Sequence, residues 1–368
     1  VCDIINQHDH RGGRREDVRV LATIGFSFSA GVFLAALLPW NGWQLYAAGG
    51  VLLLALAWLF AARKQKYFRR GLLILLPLAV SLAYFAGYDH LVRQPIEDRC
   101  GAASDFAATV CDWPQATERG AKITVELEGY HRARAVLYGE AELLAARPGD
   151  TVTGTAQWQS AAHFDSDDVT HFNARGVYTL LYGREDVRLS AGDGDALRWL
   201  PQRAGKAFRE KVAAIWDDPR VSGFLTAELT GDKSAMDDGD YLAMQETGLA
   251  HLFAVSGLHC AFLVTLLALL ISRRQRLLCA VTIPLLLFYM VMVGMSPSVV
   301  RACIMQIFLL IAPLFRRGSD PLTSLAAALL VILLCNPFAA ASVSLQLSFS
   351  ATLGMVLLSP RLYKLLTG

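Results

Sequence analysis

The sequence predicts a polytopic α-helical membrane protein with an all-β extracytoplasmic domain inserted between two groups of spans. Three observations predict it. The 368 residues are 54% hydrophobic and only 18% charged, with a mean hydropathy of +0.38, too apolar for an ordinary soluble chain. The apolar residues gather into runs that are long enough, or nearly so, to cross roughly 30 Å of hydrocarbon. Between two groups of such runs lies a polar stretch with the period-two alternation of half-buried strands, as in Ile123, Val125 and Leu127 against Thr124, Glu126 and Glu128.

Residues 1–17 read as a polar tail. Residues 18–88 read as a three-span unit, with runs at Val18–Trp40, Trp43–Ala62 and Gly71–Gly87. Five more runs follow at Leu249–Ile271, Leu277–Gly294, Val299–Phe315, Leu322–Leu334 and Val343–Leu358 within a second membrane unit, residues 249–368. Leu322–Leu334 is the shortest. The loop charges support the count. Arg63, Lys64, Lys66, Arg69 and Arg70 follow the second run, and Arg273, Arg274 and Arg276 follow the fourth. Arg316 and Arg317 follow the sixth, and Arg361 and Lys364 the eighth, while the intervening short loops carry no Lys or Arg. With Arg11, Arg14, Arg15 and Arg19 in the cytoplasm, every basic loop falls on that side, and the polar stretch falls outside. The first run is too long for a cleavable signal. A chain that starts at Val1 and stops just past a span points to a piece of a longer protein.

Residues 89–196 read as four or five short strands in a small barrel or sandwich. Arg134–Tyr138 is a hairpin partner for the strand at Ile123, Arg147-Pro148-Gly149-Asp150 is a turn, and Thr151–Trp158 and Gly176–Tyr182 are further strands. Acids exceed bases from Asp89 to Trp199, which excludes a general polyanion trap. Of seven cysteines, Cys100 and Cys111 fall in this stretch, and a disulfide between them is expected in an oxidising compartment. Cys260, Cys279, Cys303 and Cys335 lie in or beside apolar runs. No metal-ligand spacing occurs, and no cofactor is called for. Residues 197–248 read as interfacial helices. Leu197–Asp217 is amphipathic, with Leu197, Leu200, Ala204, Phe208, Val212 and Ile215 on one side, and lies either on the outer membrane surface or on the β-domain. Val221–Leu229 ends at Gly231, and a helix capped by Asp237 or Asp238 runs to Glu246 before Gly248.

The chemistry concentrates between Leu229 and Leu266. His251, Ser256, Gly257 and His259 interrupt a membrane-grade run, and polar groups at that depth commonly face a cavity or path. A half-helix starting near Gly257 presents free N–H groups to an anion. Arg301, about one turn inside the sixth run, either snorkels to the interface or faces a pore. Gln346, Ser348 and Ser350 either bond between helices or line the same path. Ser256 with His259 has the spacing of a dyad but not the elbow of a hydrolase, and His251 with His259 lacks the i, i+4 spacing of a helical zinc pair. No catalytic residue and no metal ligand is assigned.

Gly231-Asp232-Lys233-Ser234, then His251-Leu252-Phe253-Ala254-Val255-Ser256-Gly257-Leu258-His259, resemble the ComEC family of competence DNA-uptake channels. Ser296-Pro297-Ser298 with Arg301, Asn336-Pro337, and Gln346-Leu347-Ser348-Phe349 with Gly354 continue the likeness in order. Arg147–Asp150 and Phe172 to Gly176 resemble the family's extracytoplasmic OB-like domain. The resemblance implies a bacterial inner-membrane channel carrying single-stranded DNA into the cytoplasm during natural transformation. It also implies an external DNA receptor, a cytoplasmic ATP-driven translocase and contact with membrane lipid. His251, Ser256, Gly257, His259, Arg301 and Gln346 would line the path, with Gly231, Asp232 and Lys233 at its outer mouth. Tyr130, Tyr138, Trp158, Phe164 and Phe172 are aromatics available to a bound strand. The family's C-terminal metallo-β-lactamase-like domain has no counterpart in these residues, so no nuclease activity is expected of them. A small-molecule or lipid-linked transporter, and a scaffold that anchors the β-domain, are the alternatives.

Overall fold

The computed structural model describes residues 20–37, 43–61, 68–118, 120–130, 133–161, 171–184, 186–194, 196–231, 236–248, 257–271, 274–315 and 320–367. Each apolar run is helical over its described residues, save Val293 and Gly294, which form a turn at the end of the fifth. The first three form α1 (Val20–Leu37), α2 (Trp43–Ala61) and α3 (Phe68–Tyr88). Helix α3 continues through a π-helical turn, Asp89–Arg93, into the short turn Gln94–Glu97 and so into the β-domain. Within that domain lies the short helix α4 (His171–Ala174), and after it come α5 (Leu200–Ile215), α6 (Pro219–Thr230) and α7 (Asp238–Glu246). The second group is α8 (Gly257–Ile271), α9 (Gln275–Met292), α10 (Pro297–Ile311), α11 (Pro321–Cys335) and α12 (Val343–Thr367). Among the described residues, Val20–Leu37, Arg70–Glu97 and Gln275–Met292 are long and apolar enough to cross a membrane; four other apolar helices are shorter.

Seven strands form the β-domain: β1 (Ala103–Val110), β2 (Gln115–Thr117), β3 (Gly120–Leu127), β4 (Arg134–Gly139), β5 (Thr151–Ser160), β6 (Val177–Gly183) and β7 (Arg188–Ser190). Five of them close a barrel in the order β1-β3-β4-β6-β5, because β5 also pairs with β1. Every pair is antiparallel except β4 with β6. This closed Greek-key arrangement is that of a small OB-like barrel, and closure removes the exposed edges that an open sheet would carry. Alternation along β3 puts Ala121, Ile123, Val125 and Leu127 inside, where they meet Leu137, Val152, Trp158 and Leu181. The Arg147–Asp150 turn ties the barrel's end. Gly149 takes φ +100°, its N–H donates to the Val110 carbonyl (2.8 Å), and the buried Asp150 carboxylate accepts from the N–H groups of Arg147 (2.8 Å) and Gly192 (3.2 Å). A Cβ at Gly149 would stand 2.6 Å from Trp199 Nε1, so only glycine lets the start of α5 press onto the barrel here.

One expectation fails. Cys100 and Cys111 are free thiols. Cys100 precedes β1 and points to Thr179 Oγ1 (3.7 Å), whereas Cys111 follows β1 and points to the Thr109 carbonyl (3.6 Å). The eight residues of β1, about 23 Å of extended chain, lie between the two, whereas a disulfide requires ~4–7 Å between Cα atoms. Burial pushes the Cys111 thiol up to about 11 and raises the Cys100 thiol too. Both stay protonated at neutral pH and are poor nucleophiles.

Two cores hold the chain. One surrounds α8, α9 and α10, including Cys260, Cys279, Leu286 and Cys303. The other is continuous from the barrel through α1 and α3 to α11 and the start of α12. Close backbone approach makes the second possible, as small residues do between membrane helices: an added Cβ at Gly25 of α1 would lie 2.8 Å from the Ala326 carbonyl oxygen of α11. Helix α1 therefore packs directly on α11.

Candidate functional site

Connections of three to nine residues make α8, α9, α10 and α11 run alternately up and down, and the seven-residue link to α12 continues the pattern. Helices α8, α10 and α12 consequently begin at the same end of the bundle. Asn336, between α11 and α12, marks that end as the one under the barrel: its Nδ2 donates to the carbonyls of Asn173 (2.9 Å) and Ala174 (3.1 Å) in the barrel's last connection. The turn that follows, Pro337–Ala341, buries Phe338 completely. Its ring meets Phe85 (5.2 Å between centroids), Tyr88 (6.1 Å) and Tyr178 of β6 (5.9 Å). Tyr84 Oη donates to the Leu334 carbonyl (2.7 Å), and Tyr178 Oη donates to Tyr88 Oη (3.3 Å). The Arg93 guanidinium lies 5.4 Å over the Phe338 ring and forms ion pairs with Asp89 (2.9 Å) and Glu97 (3.3 Å). Barrel, N-terminal spans and second membrane unit thus meet at one buried joint.

Beside the joint, Gly257 starts α8 against Ala302 of α10, where an added Cβ would meet the alanine methyl at 3.5 Å. The seam continues one turn deeper with Cys260 and Cys303, their sulfurs 3.5 Å apart. Helix α10 enters through a tight turn in which Gly294 and Met295 both take positive φ, +85° and +53°. A left-handed methionine is uncommon and marks a backbone held by its surroundings. Ser296 precedes the helix, and its buried hydroxyl has no hydrogen-bond partner among the described residues. The half-buried Arg301 lies 5.8 Å over Phe349 of α12, and its Nη1 is buried, also without such a partner. Buried polar groups in proteins are nearly always satisfied. Two unsatisfied donors at one end of a bundle are a place for an acceptor. The field there favours an anion, since three helix N-termini converge on it and residues 257–368 contain one acid, Asp320, which precedes α11 at the opposite end.

Of the expected path residues, Gly257, Arg301 and Gln346 come together at this end. Gln346 donates from Nε2 to the Ala340 carbonyl (2.9 Å), so it ties down the Pro337–Ala341 turn; Phe349, one turn further on, carries the contact to Arg301. His259 is half-buried in the first turn of α8. Gly231 is the left-handed cap of α6 (φ +75°), donating to the Ala227 carbonyl at 2.8 Å. His251, Ser256, Asp232 and Lys233 lie outside the described residues.

The barrel sorts the candidate aromatics. Trp158 is core, with Tyr130 packed 6.4 Å away. Phe172 is half-buried and Phe164 lies outside the described residues. Tyr138 stands on the outer face, stacked at 5.2 Å and 12° on Tyr182 of the neighbouring strand, which is 37% exposed. In register with them are Lys122 on β3 and Gln157 on β5. Sequence reasoning missed Tyr182 because its partner stands on a strand far away in sequence. It also missed the Asp89–Arg93–Glu97 trio, whose i, i+4 spacing was a usable signal.

Residues 229–368 match the family described as Competence protein. ComE operon protein 3 of Bacillus subtilis (strain 168) is 32% identical over 144 residues, which cover 38% of this chain and 19% of that relative. The match therefore spans about a fifth of the relative's length. No solved structure matches the chain. With apolar helices on both sides of the barrel, this is a membrane protein, and its residues 229–368 are similar to the ComEC-type competence proteins.

Proposed function

We propose that this chain forms the outer portion of a channel that admits a single DNA strand through a bacterial inner membrane. The observation that carries the reading is the pair of buried donors, Ser296 Oγ and Arg301 Nη1, that find no partner among the described residues where α8, α10 and α12 begin. Phosphate oxygens arriving from outside would satisfy them. The barrel, held over the same end through Asn336 and Phe338, is the receiving surface, and the Tyr138–Tyr182 pair is its base-stacking element. In this reading the N-terminus and all basic loops are cytoplasmic, residues 89–248 are extracytoplasmic, and strand transfer is conduction without covalent chemistry. An external DNA receptor would load the barrel, and a cytoplasmic ATP-driven translocase would pull the strand. His251, Ser256, His259 and the Gly231–Lys233 segment complete the path and mouth.

The test is uptake of dye-labelled single-stranded DNA by cells that depend on this protein. Arg301→Ala should lower uptake about 10- to 100-fold, the equivalent of a lost charge-assisted hydrogen bond of ~1.5–3 kcal/mol. Arg301→Lys should retain part of the activity, with unchanged amounts of protein in the membrane. Uptake at the wild-type level in Arg301→Ala would remove this residue from the path. Transport of small organic anions without DNA would favour the transporter alternative. On the barrel, Tyr138→Ala with Tyr182→Ala should weaken binding of an oligothymidylate by about 1–3 kcal/mol per stacked base lost, read by fluorescence anisotropy of the purified full chain. An unaltered affinity would exclude this face.

A further inference from the structure

Helix α5, which also packs on the following helix α6, has one side on the barrel, one on α9 and one uncovered. On one, the Lys206 ammonium lies 3.9 Å from the centre of the Trp113 ring, and the Trp113 indole donates to the Gln202 carbonyl (3.0 Å), which fixes the helix to the barrel. On the second, Gly205 is pressed against the backbone of Met292, the last residue of α9; an added Cβ would lie 2.8 Å from the Met292 carbonyl oxygen. Val212 is buried on the same side. The third side carries Leu200, Phe208 and Ile215, spaced as one helical stripe, with Leu197 in the 3-10 turn just before it. These remain exposed, Leu197 at 81% and Ile215 at 66%. The stripe lies about half a turn round the helix from Lys206, so it points away from the barrel.

The placement identifies what covers it. Helix α9 is long and apolar enough to cross the bilayer, and Met292 ends it at the barrel side. A helix resting on that end, with the barrel on its far side, presents its remaining face to the membrane. The same level of the bundle exposes Leu258 and Phe262 (69%) on the first turns of α8, so the apolar band of the spans continues into α5. Lys211 stands within the stripe, where its long stem can lie along apolar surface while the ammonium reaches phosphate. Trp216, exposed at the helix end, is of the type enriched at the headgroup level. We infer that α5 is an interfacial collar whose Leu200–Phe208–Ile215 stripe, with Leu197 before it, is covered by outer-leaflet phospholipid, so that the barrel rests on the bilayer through this helix. The inference depends on the membrane placement of the proposed function but not on the passage of DNA.

The test is photo-crosslinking of the full chain in phospholipid nanodiscs, with p-benzoylphenylalanine replacing Phe208, Ile215, Lys206 or Phe262 one at a time. Phe208 and Ile215 positions should each give protein with a mass gain of one phospholipid, as should Phe262 on α8. The Lys206 position should give crosslinks within the chain and no lipid adduct. Lipid adducts from Phe262 but none from Phe208 and Ile215 would overturn the collar while leaving the membrane placement intact. Crosslinks from Phe208 or Ile215 to a second protein chain would overturn it in favour of a protein partner. Absence of lipid adducts from all positions would overturn the collar together with the membrane placement on which it stands.

Discussion

Phe338→Ala is expected to cost about 3–5 kcal/mol, the range for truncating a fully buried aromatic side chain. The ring is shared by three parts of the molecule: Phe85 and Tyr88 from the N-terminal spans, Tyr178 from the barrel, and the Arg93 guanidinium above it. Its removal leaves a cavity that no single element can close by a small shift, because each wall belongs to a different unit. The measurement is unfolding of the detergent-solubilised protein by graded sodium dodecyl sulfate, followed by circular dichroism. Phe338→Leu should lie between alanine and wild type, since it restores part of the volume. A loss under about 1 kcal/mol for alanine would mean that the joint is not a cooperative part of the fold.

Arg93→Met should be comparably damaging, by about 3–5 kcal/mol, for a different reason. Arg93 and Asp89 are both buried, and the guanidinium faces the Asp89 and Glu97 carboxylates. Methionine keeps most of the stem's packing but leaves two carboxylates near one another without their cation. Asp89 also accepts from Gln94 Nε2 (3.2 Å), which cannot replace a full charge. Adding Asp89→Asn to Arg93→Met should recover part of the loss, because it removes one of the stranded charges. The same dodecyl sulfate titration measures both variants, and the double-mutant cycle should show coupling above the ~0.3–0.5 kcal/mol scatter of independent sites. Additive losses would show that the ion pairs are incidental to the joint.

Much of this architecture is legible in the sequence, and the reasons differ by element. The spans are legible because a bilayer leaves few alternatives to a long apolar helix. Strands β3 and β4 are legible because one face of each is buried, and that writes a period of two into Ile123–Leu127 and Arg134–Tyr138. The glycine caps at Gly231 and Gly248 (φ +75° and +73°) follow from local backbone chemistry. What is not legible is pairing across long separations. Nothing near Cys100 or Cys111 shows that β1 runs straight between them, so the inference of a disulfide from compartment alone fails. Tyr182 and Tyr138 become a pair only through the parallel β4–β6 register. Arg301 is legible as a costly residue in an apolar run, but that its Nη1 finds no hydrogen-bond partner among the described residues is a three-dimensional fact. The amphipathic pattern of Leu197–Asp217 shows that α5 has an apolar side; only the contacts of Gly205 and Lys206 show which way that side faces.

The packing of α1 on α11 bears on how the polypeptide is made. The groove at Gly25 is complementary to Ala326, yet α1 ends at Leu37 and α11 begins at Pro321. At ordinary elongation rates the interval between their emergence from the ribosome is on the order of 15–60 s. During that interval α1 and α3 sit in lipid without their final neighbour, and the barrel has no floor, because Asn336 and Phe338 have not been translated. The packing site that Gly25 offers is therefore filled only late in synthesis, when α11 has been made.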